Sequence, residues 1–383
     1  MLSRIINKKN YIILKLILFL ILIPFFISSI SYADKIKEFD KWSYDKLKKW
    51  EKKCDSENTC IYKFKNKKKI RKLDSNIIDL SKETLDFINN SSITSILYFE
   101  KGKVIHDLTK SNIGIFNTKK KITNKTYLYG FSKSKSIASL MVGVTQCEGL
   151  IDPNKTYAEL IPKLKNSYYG KITLKDSLNM MARDNIIGER GFKMVVPWPY
   201  TVISFLRAEG AKIDEQLGDN KFYYSNLQPD LAAAAAIEAV GSFSKFRKLM
   251  ENKLFSEIGN ESVIKIHGYH NLPAMFNWVW ATRYDWLRTG IYVMEKINDP
   301  DSCMGKYLRD GIKNSVETGR DWGPKYGKFF YTKNPYGLKS KAIMMKGHGN
   351  KFTIIDYENE RVLDVHSIAE DFEAEKLVSL IMK

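Results

Sequence analysis

Hydrophobic positions along this chain change period twice. After a short helical stripe at Leu85, Phe87 and Ile88, the run Ile93-Thr-Ser-Ile-Leu-Tyr-Phe99 is dense in β-formers, Glu100-Lys-Gly102-Lys reads as a turn, and Val104-Ile-His-Asp continues as a second strand, which together make a hairpin signal. From about 132 to 330 the period lengthens to three and four. Ile137, Leu140, Met141, Val144 and Cys147 form an apolar stripe that Gly149 ends. Helices are expected at Tyr157–Leu164, at Thr173–Met181 with Thr173 as N-cap and Asp176 at the capping-box position, and at Pro199–Ala208. Others follow at the alanine-dense run Asn226–Val240, at Phe243–Leu254 and at Thr282–Lys296. Beyond 340 the period shortens again. Ala342–Met345, Phe352–Asp356 and Val362–His366 read as strands, and Glu370–Met382 as a closing helix. This order predicts an α+β fold, in which two early and three late strands share one antiparallel five-stranded sheet flanked by helices, with a mostly helical subdomain inserted between them.

The first residues do not fit that pattern. Arg4, Lys8, Lys9 and Lys15 precede an apolar run from Leu16 to Ile27, and Ser31-Tyr-Ala33 offers the small residues that a signal peptidase needs. The expectation is a secretory signal, 1–33, cleaved after Ala33 to give a periplasmic or secreted protein. An uncleaved N-terminal membrane anchor is the alternative. Residues 34–80 form a basic extension in which Phe39, Trp42, Leu47 and Trp50 give a loose stripe and Lys65 to Lys72 is nearly all basic, the composition of a covering arm. The main domain is expected to span 81–383, its sheet built from 81–130 and 335–383 and its helical part from 131–334.

Charge narrows the partners. The net charge is +19, but the lysines are scattered evenly, so most are read as solvated; a peripheral contact with an anionic membrane or cell wall is the sharper reading. Zinc-finger spacing, RNP-like signatures and recognition-helix patterns are missing, so nucleic acid is not an expected partner. Export makes Cys54 and Cys60, which flank a five-residue polar loop, candidates for a small disulfide ring. Cys147 reads as an ordinary buried residue on its helix, and Cys303 follows the turn-rich Asn-Asp-Pro-Asp-Ser. With no Cys/His cluster at metal-ligand spacing, neither a metal nor an organic cofactor is expected.

Three stretches carry candidate chemistry. Ser132 and Lys135 stand one turn apart at the start of the apolar-striped helix, a nucleophile beside a candidate base. Tyr224 and Asn226, in Phe222-Tyr-Tyr-Ser-Asn226, are two apart in an extended segment and point the same way; the simpler reading makes Asn226 a helix cap. In Met344-Met-Lys346-Gly-His348-Gly349-Asn350, Lys346 and His348 alternate on one side, and the glycines allow a close backbone approach.

Taken together and in this order, Ser-x-x-Lys, Tyr-x-Asn and a Gly-flanked His resemble the serine β-lactamase and penicillin-binding-protein superfamily. The closest similarity is to its class C–related hydrolases of the 6-aminohexanoate-dimer hydrolase type. Glu148-Gly-Leu-Ile-Asp152, Lys171-Ile-Thr-Leu-Lys-Asp-Ser-Leu-Asn-Met180, Phe222-x-Tyr224-Ser-Asn226 and Ala281-Thr-Arg283-x-Asp285-Trp286 are similar to phrases of that branch, and the resemblance covers about residues 81 to 383.

The resemblance implies a β-lactamase/transpeptidase-like fold and an acyl-enzyme on Ser132, with Lys135 and Tyr224 sharing a proton as base. It implies that Asn226, His348, Gly349 and Lys346 hold or orient substrate, and that the oxyanion is held by the Ser132 N–H plus one from the strand after His348. The substrate would be a small ester, amide or peptide. A D-amino-acid or cell-wall peptidase is the alternative within the same chemistry, and a catalytically silent envelope binding protein the alternative outside it. Two departures bear on substrate. Ala182-Arg183-Asp184 stands where relatives carry Thr-Ser-Gly, in a loop expected to border the cleft. The Lys-Thr-Gly triplet that binds β-lactam and D-Ala carboxylates in relatives is absent, so efficient β-lactam hydrolysis is not expected.

Overall fold

The computed structural model describes residues 59–110, 122–184, 212–213, 221–269 and 271–382. The signal segment, Phe39, Trp42, Leu47, Trp50, Cys54 and the expected helix at Pro199–Ala208 lie outside the described residues.

The strands are β1 (Thr59–Phe64), β2 (Asp74–Ser75), β3 (Ile93–Glu100), β4 (Lys103–Thr109), β5 (Tyr127–Tyr129), β6 (Ile264–Tyr269), β7 (Leu272–Pro273), β8 (Val279–Thr282), β9 (Val316–Glu317), β10 (Lys325–Gly327), β11 (Phe330–Tyr331), β12 (Ala342–Gly347), β13 (Lys351–Asp356) and β14 (Arg361–Ser367). The helices are α1 (Lys82–Asn89), α2 (Lys133–Cys147), α3 (Tyr157–Leu160), α4 (Leu174–Leu178), α5 (Leu227–Val240), α6 (Phe243–Met250), α7 (Arg283–Asn298), α8 (Cys303–Lys313) and α9 (Ala374–Ile381).

The main sheet runs β2-β4-β3-β14-β13-β12-β11-β10-β9. Its centre is the expected five: the hairpin β3–β4 joins the three late strands by antiparallel pairing of β3 with β14, with Leu97 opposite Asp364. Every residue from Ile93 to Phe99 is buried, so both faces of β3 are covered. That explains its unbroken apolar text, where a half-solvated strand would alternate. The sheet then continues past β12 into three short strands at 316–331 that helical periodicity does not reveal.

A second sheet, ordered β1-β6-β8-β5 with β7 beside β6, draws three of its strands, β6, β7 and β8, from the part of the chain read as helical. It also corrects the reading of the basic extension. From Thr59 the chain is a strand paired antiparallel with β6, and Phe64 is fully buried against Phe255, with ring centres 5.3 Å apart. The core therefore begins about twenty residues before Ser81. The basic text after it is tied down as well: Lys65 and Lys67 donate backbone N–H groups to Glu251 Oε1 and Ser256 Oγ, and Arg71 Nη1 pairs with Glu295 at 2.8 Å.

Helix α2 is the hub. It is buried from Lys133 through Thr145, with α5 against one flank and α8 against another. Five consecutive alanines, Ala232 to Ala236, are all buried, and their small side chains let α5 lie close to its neighbours. Local text sets the helix starts: Thr173 accepts from the Asp176 N–H at 3.1 Å and Thr282 from the Asp285 N–H at 3.3 Å.

The cysteines require a second correction. Cys147 is not a lone buried residue; it is disulfide-bonded to Cys303, which ties the end of α2 to the start of α8. The two are 156 residues apart, so spacing gave no signal. Cys60 is disulfide-bonded too.

A cross-link over so long a loop restricts the unfolded chain, an effect of about 2–4 kcal/mol for typical native bridges. Cys303→Ser should therefore lower the denaturant midpoint by a corresponding amount. An unchanged midpoint in urea unfolding would show that α2 and α8 hold each other without it.

Candidate active site

The nucleophile position is made by a turn with little freedom. β5 ends at Tyr129, and the Gly130 N–H donates to Val279 O at 3.0 Å. A Cβ on Gly130 would lie 2.5 Å from the Trp286 ring, so only glycine fits. Phe131 then adopts φ +47°, a left-handed conformation that costs a non-glycine residue about 1–2 kcal/mol. Its ring is held by Tyr129 at 4.4 Å and edge-on to His348 at 5.7 Å, and the Lys351 ammonium lies 4.5 Å from its centre. The chain bends sharply into α2 and leaves Ser132 partly exposed above a buried helix.

Lys135 lies directly beneath, fully buried. Its Nζ donates to Ser132 Oγ at 2.9 Å, Asn226 Oδ1 at 2.9 Å and Phe276 O at 2.7 Å. Those three acceptors satisfy an ammonium. If the amine is neutral, two of them are kept and a lone pair faces Ser132. Burial pulls its pKa down to about 7, with Asp230 opposing the shift from a distance, so both forms are available near neutrality. Asp230 also acts structurally. Its Oδ1 accepts the N–H groups of Met275 and Phe276 at 2.7 and 3.1 Å, fixing the turn that presents Phe276 O to Lys135.

Tyr224 completes the set, hydrogen-bonded to Ser132 and with its ring centre 4.9 Å from Lys135 Nζ. Burial raises its pKa to about 12, against smaller opposing effects of Ser132 and Arg320. Of the pair expected to share a proton, the phenol thus favours its neutral form, and the lysine is the group poised to hold or lose a proton. Asn226 stands at the N-terminus of α5 but makes no capping bond; its side chain is turned to Lys135 instead. The capping alternative is thus excluded by where Oδ1 points.

Two residues earlier, on a different face of the same helix, another lysine has a different fate. Lys133, also fully buried, donates to Asp364 Oδ1 at 2.6 Å, lies 3.2 Å from His366 Nε2, and sits 4.3 Å from the centre of the Trp286 ring. Thr353 Oγ1 donates to the same Asp364 oxygen at 2.6 Å. Burial lowers the Lys133 pKa against the opposing pull of Asp364, and Lys133 and His366 in turn hold the Asp364 carboxyl well below the usual carboxylate range. This pair anchors α2 to β14 right behind the nucleophile. Nothing in the sequence pattern singled it out, since Asp364 reads as one polar residue in a strand.

The late strand reaches the same place. A Cβ on Gly347 would lie 2.2 Å from Gly130 O, so the end of β12 stands directly against the nucleophile turn. His348 is half-buried beside Phe131, with Nδ1 3.4 Å from Glu370 Oε1, and burial lowers its pKa to about 4. It lies against Phe131 and Glu370. The Gly349 N–H donates to Glu370 Oε1 at 3.0 Å, so the stretch after His348 is engaged elsewhere, and Gly347 before it is the close approach. Lys346 Nζ donates to Tyr336 Oη at 2.6 Å and Asn350 Oδ1 at 3.1 Å.

Asp184 does not offer a solvent-exposed charge. It is fully buried, accepting from Tyr169 Oη at 2.5 Å, and the Arg183 N–H donates to Tyr168 Oη. The Ala281–Trp286 phrase is architectural. Arg283 staples β3 to β4 through Ser95 Oγ, Ile96 O, Leu108 O and Asp107, and Trp286 Nε1 donates to Leu128 O.

No family model matches the sequence, and no curated protein sequence matches it. Solved structures do. A putative 6-aminohexanoate-dimer hydrolase from Bacillus anthracis aligns over 88% of this chain and 91% of its own, with TM-score 0.68 and 16% identity. The chain has a β-lactamase-related fold. A β-lactamase/D-alanine carboxypeptidase from Pseudomonas syringae follows at TM-score 0.60 and 15% identity, covering 78% of this chain and 96% of its own. A class C β-lactamase in complex with cefoxitin aligns at TM-score 0.56 and 12% identity, over 77% and 95% of the two chains. At such identities the likeness concerns the β-lactamase-related architecture; the residues within it are this chain's own.

Two outcomes test this geometry. In a sample labelled at lysine Cε, the Lys135 resonance should titrate near pH 7 while solvated lysines titrate near 10.4; a Lys135 midpoint above 9 would contradict the burial argument. Asp364→Asn leaves Lys133 buried without its counter-charge, and should lower stability by about 3–5 kcal/mol in chemical unfolding. A loss under 1 kcal/mol would show the pair to be incidental.

Proposed function

We propose that this chain is an exported serine hydrolase that cleaves an ester or amide through an acyl-enzyme on Ser132. The observation that carries the reading is Lys135 Nζ at 2.9 Å from Ser132 Oγ, buried and lowered to a pKa of about 7. A neutral amine takes the Ser132 proton as Oγ attacks the carbonyl carbon. The tetrahedral oxyanion forms at the start of α2. There the Ser132 N–H has no acceptor among the described residues, and the close-packed backbone at Gly347 supplies the second donor in this reading. Tyr224, a neutral phenol touching Ser132, relays the proton to the leaving group. Water then attacks the acyl carbon along the same path in reverse.

Protonated Lys135 has no lone pair. Activity is thus present above the Lys135 pKa and lost as pH falls through about 7.

Export rests on the 1–33 segment, and the disulfides at Cys147–Cys303 and Cys60 support it, because such bonds persist in oxidising compartments. The peptidase alternative shares every step above and differs only in substrate. The silent binding-protein alternative has no observation in its favour, since the Ser132, Lys135 and Tyr224 contacts are all formed.

Turnover of p-nitrophenyl esters tests the reading. Ser132→Ala and Lys135→Met should abolish it, and Tyr224→Phe should lower kcat about 10²–10⁴-fold. The wild-type pH profile should rise with a midpoint near 7. Activity that survives Ser132→Ala would refute the assignment.

A further inference from the structure

The basic run at β1 forms a surface that the hydrolase chemistry does not use. In the ten residues Lys63 to Lys72 seven side chains are cationic and none is acidic, a local density that an even scatter of lysines does not produce. On β1 the pattern alternates: Tyr62 and Phe64 are buried, while Lys63 and Lys65 are exposed. Past the strand the backbone is held in a fixed shape. The Lys67 N–H donates to Ser256 Oγ at 2.7 Å, the Lys68 N–H to Asn66 Oδ1 at 2.7 Å, Asn66 Nδ2 to Asn260 O at 3.0 Å and the Arg71 N–H to Gly259 O at 2.9 Å. Lys67, Lys68, Lys69 and Lys72 stay exposed on this pinned backbone.

The acids beside the run are already engaged. Glu251 pairs with Lys67 at 3.3 Å, Glu295 with Arg71 at 2.8 Å and Glu257 with Lys296 at 2.9 Å. Asp74 stands beside Lys103 in the β2–β4 pairing, and Asp79 follows it in the chain. Lys63, Lys65, Lys68, Lys69 and Lys72 make no ion pair among the described residues. Five like charges fixed on one short segment repel one another. An anionic partner relieves that repulsion at little ordering cost, because the backbone is already set.

Apolar exposure tells which anion. Ile70, inside the basic run, is 44% exposed, and Ile77 and Ile78 just beyond it are 52% and 53% exposed. These are three of the five large apolar side chains exposed among the described residues. A polyanion in water gains nothing from isoleucines. A nucleic acid would stack its bases on aromatic rings, and the one ring between 63 and 78, Phe64, is buried. A bilayer surface uses both features, ammoniums at the headgroups and aliphatic side chains at the acyl boundary. We propose that Lys63–Lys72, with Ile70, Ile77 and Ile78, is the surface by which this protein docks on an anionic lipid bilayer. The proposal goes beyond the hydrolase reading and does not rest on it.

Lysine acetylation read residue by residue tests this on the full chain, where attachment through the apolar run 16–27 does not by itself protect the surface. N-hydroxysuccinimidyl acetate modifies exposed lysines, and peptide mass spectrometry follows each one. With vesicles of equal parts phosphatidylglycerol and phosphatidylcholine, the rates at Lys65, Lys68, Lys69 and Lys72 should fall about threefold or more, while exposed Lys155 and Lys165 keep theirs. Salt at about 0.5 M should restore the rates. Unchanged rates, an equal fall at Lys155 and Lys165, or the same protection by pure phosphatidylcholine would overturn the proposal. So would protection by a single-stranded oligonucleotide and not by the vesicles, which would assign the surface to nucleic acid.

Two variants separate the charges from the isoleucines. Each ammonium near such a surface is worth about fivefold in partitioning, so Lys68→Gln combined with Lys69→Gln should weaken the protection of the remaining Lys65 and Lys72. Ile70→Ser, Ile77→Ser and Ile78→Ser together should weaken it in the same vesicles and leave its salt dependence in place. Lys68 and Lys69 have no ion-pair partner in the fold, so the glutamine variant should keep the urea midpoint of wild type. Protection that survives the glutamine variant would refute the electrostatic surface. Protection indifferent to the serine variant would refute the choice of a bilayer over any other polyanion.

Discussion

Two lysines on one helix, two residues apart and both without solvent, are given different partners, while burial lowers the pKa of both. Lys133 meets a carboxylate at 2.6 Å and stays paired; Lys135 meets only neutral acceptors and is drawn down to a pKa of about 7. The first fixes α2 to β14, and the second waits under Ser132. Exchanging the two environments would leave a pinned helix with no base or a base on an unpinned helix. The site depends on this separation, and it is achieved by geometry alone: Asp364 reaches position 133, and Asp230, whose charge acts on Lys135 without a hydrogen bond to it, accepts from two backbone N–H groups.

Around that pair the architecture converges on one turn. Trp286 packs on the Lys133 ammonium, excludes any side chain at Gly130, and donates to the strand that leads into the turn. Gly347 brings β12 up against Gly130 O, and Phe131 takes the strained conformation beside it. Strain of this size persists only where surrounding contacts over-determine it, as Tyr129, His348 and Lys351 do here. At the far end of α2 the Cys147–Cys303 bond closes the hub against α8.

Much of this could be read from the sequence, for identifiable reasons. The five central strands were legible because each is a compact run of β-formers bounded by turn residues, and the helices of the middle because their apolar period is regular. Ser132, Lys135, Tyr224 and Asn226 stood out only through the family resemblance that their motifs carry together, and the structure brings all four together. What could not be read depended on pairing between distant positions. Strand β1 looked like a basic arm because its buried residues, Tyr62 and Phe64, alternate with lysines. β6 and β8 complete a sheet with it that no local pattern announces. The Cys147–Cys303 bond and the Lys133–Asp364 pair each join residues that have no local signature. Asp184 likewise gave no local sign that it is the buried partner of Tyr169.

The central claim is that Ser132 is nucleophilic because buried Lys135 deprotonates it. Peptide mass spectrometry after treatment with a fluorophosphonate tests it most directly. The account predicts a single adduct, on Ser132, formed by wild type and absent from Lys135→Met under the same conditions. A folded wild type that stays unlabelled at Ser132, or equal labelling in Lys135→Met, would contradict it.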